Sequence, residues 1–211
     1  MRKLLMLAVA LMVSYSGIVL SQDAAEFDEG IDYEVIKPAQ PTDDSSRIEV
    51  VEIFWYGCPH CYHFEPALGP WVNGVPKDVD FYRLPAVFNP LWEVHARAYF
   101  TADILNVLEK SHDALFHAMH AEHETMNDVD KLAAFYAKYG IDQNLFKKTY
   151  ESFVVNTRVS RTKDMVQRYG VKGVPALVVN GKYLITGPMA KSYENMLLIT
   201  EYLVEKERKA Q

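Results

Sequence analysis

Cysteine is scarce in this sequence. The 211 residues include only Cys58 and Cys61, so no third thiol is left over to pair with either of them. A second C-x-x-C pair, which would make a zinc site convincing, is therefore absent. The chain also lacks an excess of positive charge, since its formal net charge of -6 disfavours nucleic acid as a partner. No low-complexity tract and no internal repeat of the solenoid kind is present.

Long hydrophobic runs are also missing, except at the N-terminus. Arg2 and Lys3 precede the apolar run 4–13, and a small residue stands before a cleavage point near Gln22. The pattern predicts a secretory signal peptide over residues 1–21. The alternative is a membrane anchor, but the polar stretch 14–17 ends the run well short of the roughly 20 residues that a span needs. Export makes a stable or catalytic disulfide plausible, and cleavage takes the net charge from -6 to -8.

The remaining composition is that of a folded protein. Hydrophobic residues make up 49% of the chain, aromatic residues 12% and charged residues 24%. The chain left after cleavage is long enough for one large domain or two small ones.

The two cysteines lie at a predicted strand-to-helix junction. The largely apolar run 48–55 is typical of a strand covered on both faces, and Glu49 and Glu52 are its exceptions. A helix is predicted to begin at Cys58, because Pro59 suits the first helical position. A second strand is predicted over residues 79–84, which completes a strand–helix–strand unit.

The rest of the chain predicts a helical block followed by a hairpin. Residues 91–169 carry helical patterns without clear strand signals, and Asn180-Gly181 between two short apolar runs is a strong hairpin signal. A closing helix is predicted over about 189–208. The order predicts an interrupted α/β domain, and it looks like a thioredoxin fold that carries an inserted helical domain. The predicted segments are a signal peptide at 1–21, a first thioredoxin-like part at 22–87, a helical insertion at 88–162 and a second thioredoxin-like part at 163–211.

A C-x-x-C motif at this place is the layout for thiol–disulfide exchange. Cys58 at a helix N-terminus receives free backbone N–H groups and the positive end of the helix dipole, so we expect it to titrate well below pH 7 and to act as the nucleophile. His60 adds a nearby donor or positive charge. Cys61, one turn into the helix, is predicted to be more buried and to be the resolving thiol. The alternatives are an inert structural disulfide and a zinc site that uses His60 and His63.

The sequence resembles the DsbA family of periplasmic disulfide oxidases. The resemblance rests on Phe54-Trp55-Tyr56-Gly57-Cys58-Pro59-His60-Cys61-Tyr62, on Gly173-Val174-Pro175-Ala176 and on Asn180-Gly181-Lys182-Tyr183. It implies a cis proline at Val174-Pro175 that faces the cysteines and leaves backbone groups free to pair with an extended substrate. An ordinary trans turn is the alternative.

The resemblance also implies a charged pair beneath the dithiol. Glu52 and Arg83 match its positions, with Arg83 where a lysine would be expected. Glu52 is expected to relay protons for Cys61, although an arginine would hold a carboxylate ionised more firmly. A plain structural ion pair is the alternative.

The predicted function is donation of the Cys58–Cys61 disulfide to folding secreted proteins in the periplasm. The family implies re-oxidation by a DsbB-like membrane oxidase, and no cofactor or metal is predicted. The alternatives are a disulfide isomerase or reductase and a non-enzymatic metal-binding or holdase module. The histidines at 112, 117, 120 and 123 crowd one region, and the last three recur at a spacing that could share a helix face. Exposed apolar surface for unfolded chains is expected near the dithiol, and Tyr62, Phe64 and the inserted domain are its candidates, although a core role is favoured for Phe64.

Overall fold

The computed structural model describes residues 27–210, and the predicted signal peptide lies outside this range. Five strands form one mixed sheet in the order β1-β5-β4-β2-β3. Strands β2 and β3 are parallel, and the other neighbours are antiparallel. All seven residues of β2 are buried, which confirms a central strand covered on both faces. The strands are β1 (Glu34–Val35), β2 (Ile48–Phe54), β3 (Val79–Pro85), β4 (Ala176–Val179) and β5 (Tyr183–Thr186).

Helices make up most of the rest of the described chain. No helix within residues 27–210 has the length and apolar character needed to cross a membrane. The domain boundaries at 87/88 and 162/163 stay a prediction, and α6 runs across the second. The helices are α1 (Pro59–Gly74), α2 (Pro90–Ile104), α3 (Leu108–His120), α4 (Val129–Ala137), α5 (Gln143–Tyr150), α6 (Phe153–Arg168), α7 (Gly187–Ala190) and α8 (Tyr193–Arg208).

The predicted closing helix over 189–208 is wrong at its start. The chain forms the short helix α7, leaves it at Lys191 in the left-handed region (φ 67°), and begins α8 at Tyr193. The Ser192 hydroxyl accepts a hydrogen bond from the Asn195 backbone N–H and caps the new helix. Within the predicted helical region 91–169, the last helix is α6, which Ser152 caps.

The Asn180-Gly181 turn is confirmed. Both residues have positive φ, 50° and 62°, as a type I′ hairpin turn requires. A Cβ atom at Gly181 would lie 2.2 Å from the Gln40 carbonyl oxygen, so the close approach of the segment between β1 and β2 also requires glycine.

The sheet separates two hydrophobic layers. Helices α1 and α8 cover one face, where Phe64 and Leu68 pack with Val50 and Leu203. The opposite face packs against the end of α6. Helices α2 to α5 and the start of α6 build a separate core with residues near the C-terminal end of β2. The segment that follows β2 therefore lies between the sheet and the helical block, and this position sets the environment of the cysteines.

Candidate active site

Cys58 and Cys61 lie at the start of α1, directly after the turn that leaves β2. Cys58 is the residue before the first helical position, which Pro59 occupies, as the sequence predicts. Both cysteines are free thiols in the structure. Cys58 is 7% exposed and Cys61 is 0% exposed, which confirms that Cys61 is the more buried of the two. The arrangement offers one reachable sulfur and one enclosed sulfur.

The protein shifts the pKa values of the two thiols in opposite directions. A hydrogen bond from the Cys61 thiol, together with the backbone N–H groups of Cys61 and His60, lowers the pKa of Cys58 to about 6, although burial opposes this. Burial raises the pKa of Cys61 well above its ordinary value. The sequence predicts a pKa of Cys58 well below 7, and the shift has the predicted direction but leaves the pKa at about 6. The leading cause also differs, because the hydrogen bond from the Cys61 thiol is a larger cause than either backbone N–H group or the charge of His60.

The loop before β4 lies against the reachable sulfur. The Val174–Pro175 peptide bond is cis, as the family resemblance implies. The Cys58 Sγ atom lies 3.5 Å from the Val174 carbonyl oxygen, which accepts its hydrogen bond. A groove of about 750 Å³ runs along this loop, and His60, Val174, Pro175 and Tyr193 are among its lining residues. A chain segment lying in this groove would pass beside Cys58.

The predicted pair of Glu52 and Arg83 is present, but it is part of a larger group. The Arg83 Nε atom donates to the Glu52 Oε2 atom at 2.8 Å, and the Glu52 side chain is fully buried. The Arg83 Nη2 atom donates at 2.8 Å to a second carboxylate, Glu65 Oε2. Burial raises the pKa of Glu52 to about 8, even though the charge of Arg83 lowers it. Burial therefore outweighs the charge of Arg83 in setting the direction of this shift.

Two more residues extend this group into the helical block. The His112 Nε2 atom lies 3.2 Å from Glu65 Oε1, and the His112 Nδ1 atom lies 2.8 Å from the Tyr56 hydroxyl. Burial opposes ionisation of Glu65, but the hydrogen bond from His112 and the charge of Arg83 outweigh it and lower its pKa. These buried side chains thus form a hydrogen-bond network that extends from beneath Cys61 to helix α3.

Sequence reasoning missed Glu65, Tyr56 and the role of His112. Glu65 lies four residues after Cys61, one helical turn on, and that spacing was a usable signal. Tyr56 and His112 are 56 residues apart, and nothing in the local pattern indicates their contact.

The proposed histidine face does not form. His123 lies beyond the end of α3 with a φ of 57°, His117 is exposed, and the His120 Nε2 atom lies 2.8 Å from the Tyr56 carbonyl oxygen. Within residues 27–210, Glu65, His112 and Asp113 are the one group of ligand atoms close enough to surround a metal ion. Both Glu65 oxygens already accept hydrogen bonds from Arg83 and His112, so this group is built as a hydrogen-bond network.

Aromatic side chains surround the turn before Cys58. The Trp55 and Trp92 rings stack at 4.3 Å, and the exposed side chain of Phe88 lies beside Trp92. Tyr62 is half-buried against Phe116 and His120 rather than free on the surface. Phe64 is fully buried, which confirms its core role.

Comparisons with known proteins agree with this geometry. A family described as "DSBA-like thioredoxin domain" matches residues 77–197. The "Thiol:disulfide interchange protein DsbA" of Pseudomonas aeruginosa is 40% identical over 210 residues, which cover 100% of this chain and 99% of that protein. The protein of the same name from Azotobacter vinelandii is 38% identical over 214 residues and is covered completely, as is this chain.

A solved structure gives the same result for the fold. The crystal structure of Pseudomonas aeruginosa DsbA superposes with a TM-score of 0.84 and 41% identity, covering 87% of this chain and 96% of that one. The interrupted thioredoxin fold is thereby confirmed. The dithiol at a helix start, its flanking cis-proline loop and these similarities have one explanation: the chain belongs to the DsbA family of thiol:disulfide oxidoreductases.

Proposed function

We propose that this protein oxidises other proteins by donating a Cys58–Cys61 disulfide. The observation that carries the proposal is the lowered pKa of Cys58, about 6, beside a thiol whose pKa is raised. A stabilised Cys58 thiolate stabilises the reduced dithiol, so the disulfide is the stronger oxidant. No cofactor takes part, because two thiols and one disulfide exchange two electrons between them.

The reaction proceeds in two displacements. A substrate thiolate attacks the Cys58 sulfur, the Cys58–Cys61 bond breaks, and Cys61 leaves with the electron pair. A second substrate thiolate then attacks the substrate sulfur of the mixed disulfide, and Cys58 leaves as a thiolate. The substrate has lost two electrons and gained a disulfide, and the protein holds the dithiol. In the reverse direction Cys58 is the attacking sulfur and Cys61 resolves the mixed disulfide.

Cys61 needs a proton when it leaves, because burial makes its thiolate unfavourable. Glu52 is the proposed source. Its carboxyl is fully buried, its pKa is raised to about 8, and it lies close enough to Cys61 for its ionisation to influence the pKa of that thiol. At neutral pH the carboxyl therefore holds the proton that the departing thiolate takes up, and Arg83 orients it. The alternative for Glu52 and Arg83 is a structural ion pair without a proton-transfer role.

Val174 and Pro175 are proposed to bind the substrate. They line the groove beside Cys58, and the Val174 carbonyl oxygen contacts the sulfur that a substrate would reach. An extended chain can use backbone hydrogen bonds there, which suits folding proteins of many sequences.

The proposed setting is the periplasm, after cleavage of a signal peptide near Gln22. The substrates are folding secreted proteins with free thiols, and a DsbB-like membrane oxidase restores the Cys58–Cys61 disulfide. The Leu4 to Val13 apolar run behind Arg2 and Lys3 supports the export step.

The test is the equilibrium of the dithiol against glutathione. An oxidase releases its disulfide to glutathione readily, so we expect a reduction potential above that of the glutathione pool. The Cys58→Ser variant should lose the activity, and this loss would exclude a non-enzymatic metal-binding or holdase module. A potential as low as that of a disulfide reductase would contradict the proposal and favour the isomerase or reductase alternative.

The relay has its own test. In the wild type, the rate of exchange should depend on pH through the ionisation of Glu52, and Glu52→Gln should remove that step from the profile. A profile that is the same in both proteins would leave Glu52 and Arg83 as a structural ion pair.

A further inference from the structure

The buried group beneath the dithiol has one positive charge and two carboxyl groups. Arg83 donates to Glu52 and to Glu65 at 2.8 Å each. If both carboxyls were ionised, a net negative charge would remain in a poorly solvated place, which is costly. One of the two carboxyls is therefore expected to hold a proton, and the surroundings decide which one.

The hydrogen bonds favour the proton on Glu52. Glu65 accepts a bond at each oxygen, from Arg83 and from His112, and such bonds favour the ionised form. Glu52 accepts from Arg83 at Oε2, but its buried Oε1 atom has no hydrogen-bond partner among residues 27–210. The difference between the two carboxyls is the contact with His112.

The protonation of His112 is fixed by its two partners. Glu65 as a carboxylate can only accept, so the His112 Nε2 atom must carry hydrogen. Burial raises the pKa of Tyr56 well above its ordinary value, so this phenol keeps its proton and donates to the His112 Nδ1 atom. Burial also lowers the pKa of His112, which keeps the ring neutral. His112 is thus a neutral donor held in one orientation.

We propose that His112 is a positioning residue for thiol–disulfide exchange. Its hydrogen bond keeps Glu65 ionised, and the ionised Glu65 accepts one of the two hydrogen bonds that Arg83 donates to these carboxyls. Because Arg83 is not paired with Glu52 alone, Glu52 is able to carry the proton for Cys61. The proposal rests on the proton-relay part of the proposed function. It assigns to the helical block a direct influence on the dithiol, since His112 belongs to α3.

The charged and titratable groups around this network come from every element packed on it. They are Glu52 on β2, Tyr56 in the following turn, Cys61 and Glu65 on α1, Arg83 on β3, Tyr99 on α2, His112 with the exposed Asp113 on α3, and Tyr136 on α4. Tyr99 donates to the Arg83 carbonyl oxygen at 3.3 Å and keeps its proton, because burial raises its pKa. Arg83 is the one cation among these groups.

The experiment follows the titration of Glu52 in the reduced full chain. Infrared spectroscopy detects the carbonyl band of a protonated carboxyl, and the band that disappears in Glu52→Gln belongs to Glu52. In His112→Phe, we expect this band to titrate at lower pH, with about tenfold weaker proton affinity of Glu52. The reason is that Glu65 becomes protonated more easily, and Arg83 then forms its ion pair with Glu52 alone. The limb of the exchange pH profile that depends on Glu52 should move by the same amount.

Three further variants separate this role from a structural one. His112→Gln keeps a donor toward Glu65 and an acceptor toward Tyr56, so it should restore the Glu52 titration. Glu65→Gln should shift the titration in the same direction as His112→Phe, and the double variant should shift it no further. His117→Phe replaces an exposed histidine on the same helix and should shift nothing.

An unchanged Glu52 band in folded His112→Phe or in Glu65→Gln would overturn the proposal. A shift in His112→Gln as large as that in His112→Phe would overturn it too, because ring packing would then be the cause. The spectroscopic titration does not depend on the direction of electron flow. A failed glutathione equilibrium or an unchanged profile in Glu52→Gln therefore identifies failure of the proposed function separately.

Discussion

The acidity of Cys58 should depend more on the Cys61 thiol than on His60 or on any one backbone N–H group at the start of α1. The hydrogen bond from Cys61 is the largest cause of the lowered pKa, and the charge of His60 is a smaller one. Cys61→Ala removes this donor, whereas Cys61→Ser keeps a hydroxyl at the same place. We expect the alanine variant to raise the pKa of Cys58 and the serine variant to raise it less.

The magnitude follows from the strength of a hydrogen bond to a charged group. Such a bond is worth about 1.5 to 3 kcal/mol, which corresponds to a rise of about one to two pH units in Cys61→Ala. With a pKa of about 6, the ratio of thiolate to thiol at Cys58 is about ten to one at pH 7 in the wild type. This ionisation stabilises the reduced protein by about 1.4 kcal/mol. Solvent in the groove screens part of this value. The corresponding increase in reduction potential is at most about 30 mV.

The sign of the pH dependence is fixed by the lowered pKa. The stabilisation of the reduced form is complete above the ordinary thiol pKa of 9.0, declines as pH falls, and is lost below about 6. In the wild type, the slope of reduction potential against pH should therefore change near pH 6, from about 59 mV to about 30 mV per pH unit, because one proton fewer is taken up.

The assay is the ultraviolet absorbance of the thiolate as a function of pH. In Cys61→Ala and Cys61→Ser the Cys58 sulfur is the only thiol of the chain, so the signal has one source. His60→Leu should give a smaller rise than Cys61→Ala. An unchanged pKa in Cys61→Ala would refute the reasoning and would return the main role to the backbone N–H groups at the start of α1.

Two further predictions concern stability and are measured by urea denaturation. Burial lowers the pKa of His95 to about 4, so between about pH 6.5 and pH 4 the unfolded chain binds a proton at this residue and the folded chain does not. The free energy of unfolding should therefore fall by about 3 kcal/mol over this range as pH falls. His95→Gln should reduce that loss, and equal losses in both proteins would contradict the assignment. Phe146→Ala should cost about 3 to 5 kcal/mol, because the fully buried ring stacks on Tyr136 at 4.7 Å. Phe153→Ala, at a ring 82% exposed, is the matched control and should stay within about 0.5 kcal/mol.

The parts of the fold that the sequence predicted have strong local causes. Strand β2 is an apolar run buried on both faces, and the β4–β5 turn needs the positive φ angles that Asn180 and Gly181 adopt readily. The break between α7 and α8 could not be predicted in this way. It depends on Lys191 in a left-handed conformation, which a lysine adopts only when the surrounding structure demands it.

In the candidate site too, some features follow from local sequence and others depend on the folded structure. Cys58, Cys61 and Pro59 are neighbours in sequence, so their arrangement at a helix start follows from local rules. The state of Glu52 depends instead on Arg83, Glu65 and their burial, which join β2, β3 and α1. Burial outweighs the arginine, and the extent of burial is a property of the folded chain that no spacing gives.

The helical block fixes the turn that precedes the dithiol through histidines. The His95 ring stacks near Trp55, His112 contacts the Tyr56 hydroxyl, and His120 contacts the Tyr56 carbonyl oxygen. Tyr56 is two residues before Cys58, and the Cys58 backbone N–H donates to the Trp55 carbonyl oxygen at 2.9 Å. The orientation of the reachable sulfur is therefore set from the helical block as well as from the sheet. A change in the packing of α2 or α3 should alter the dithiol even though no residue of these helices contacts either sulfur through a hydrogen bond within residues 27–210.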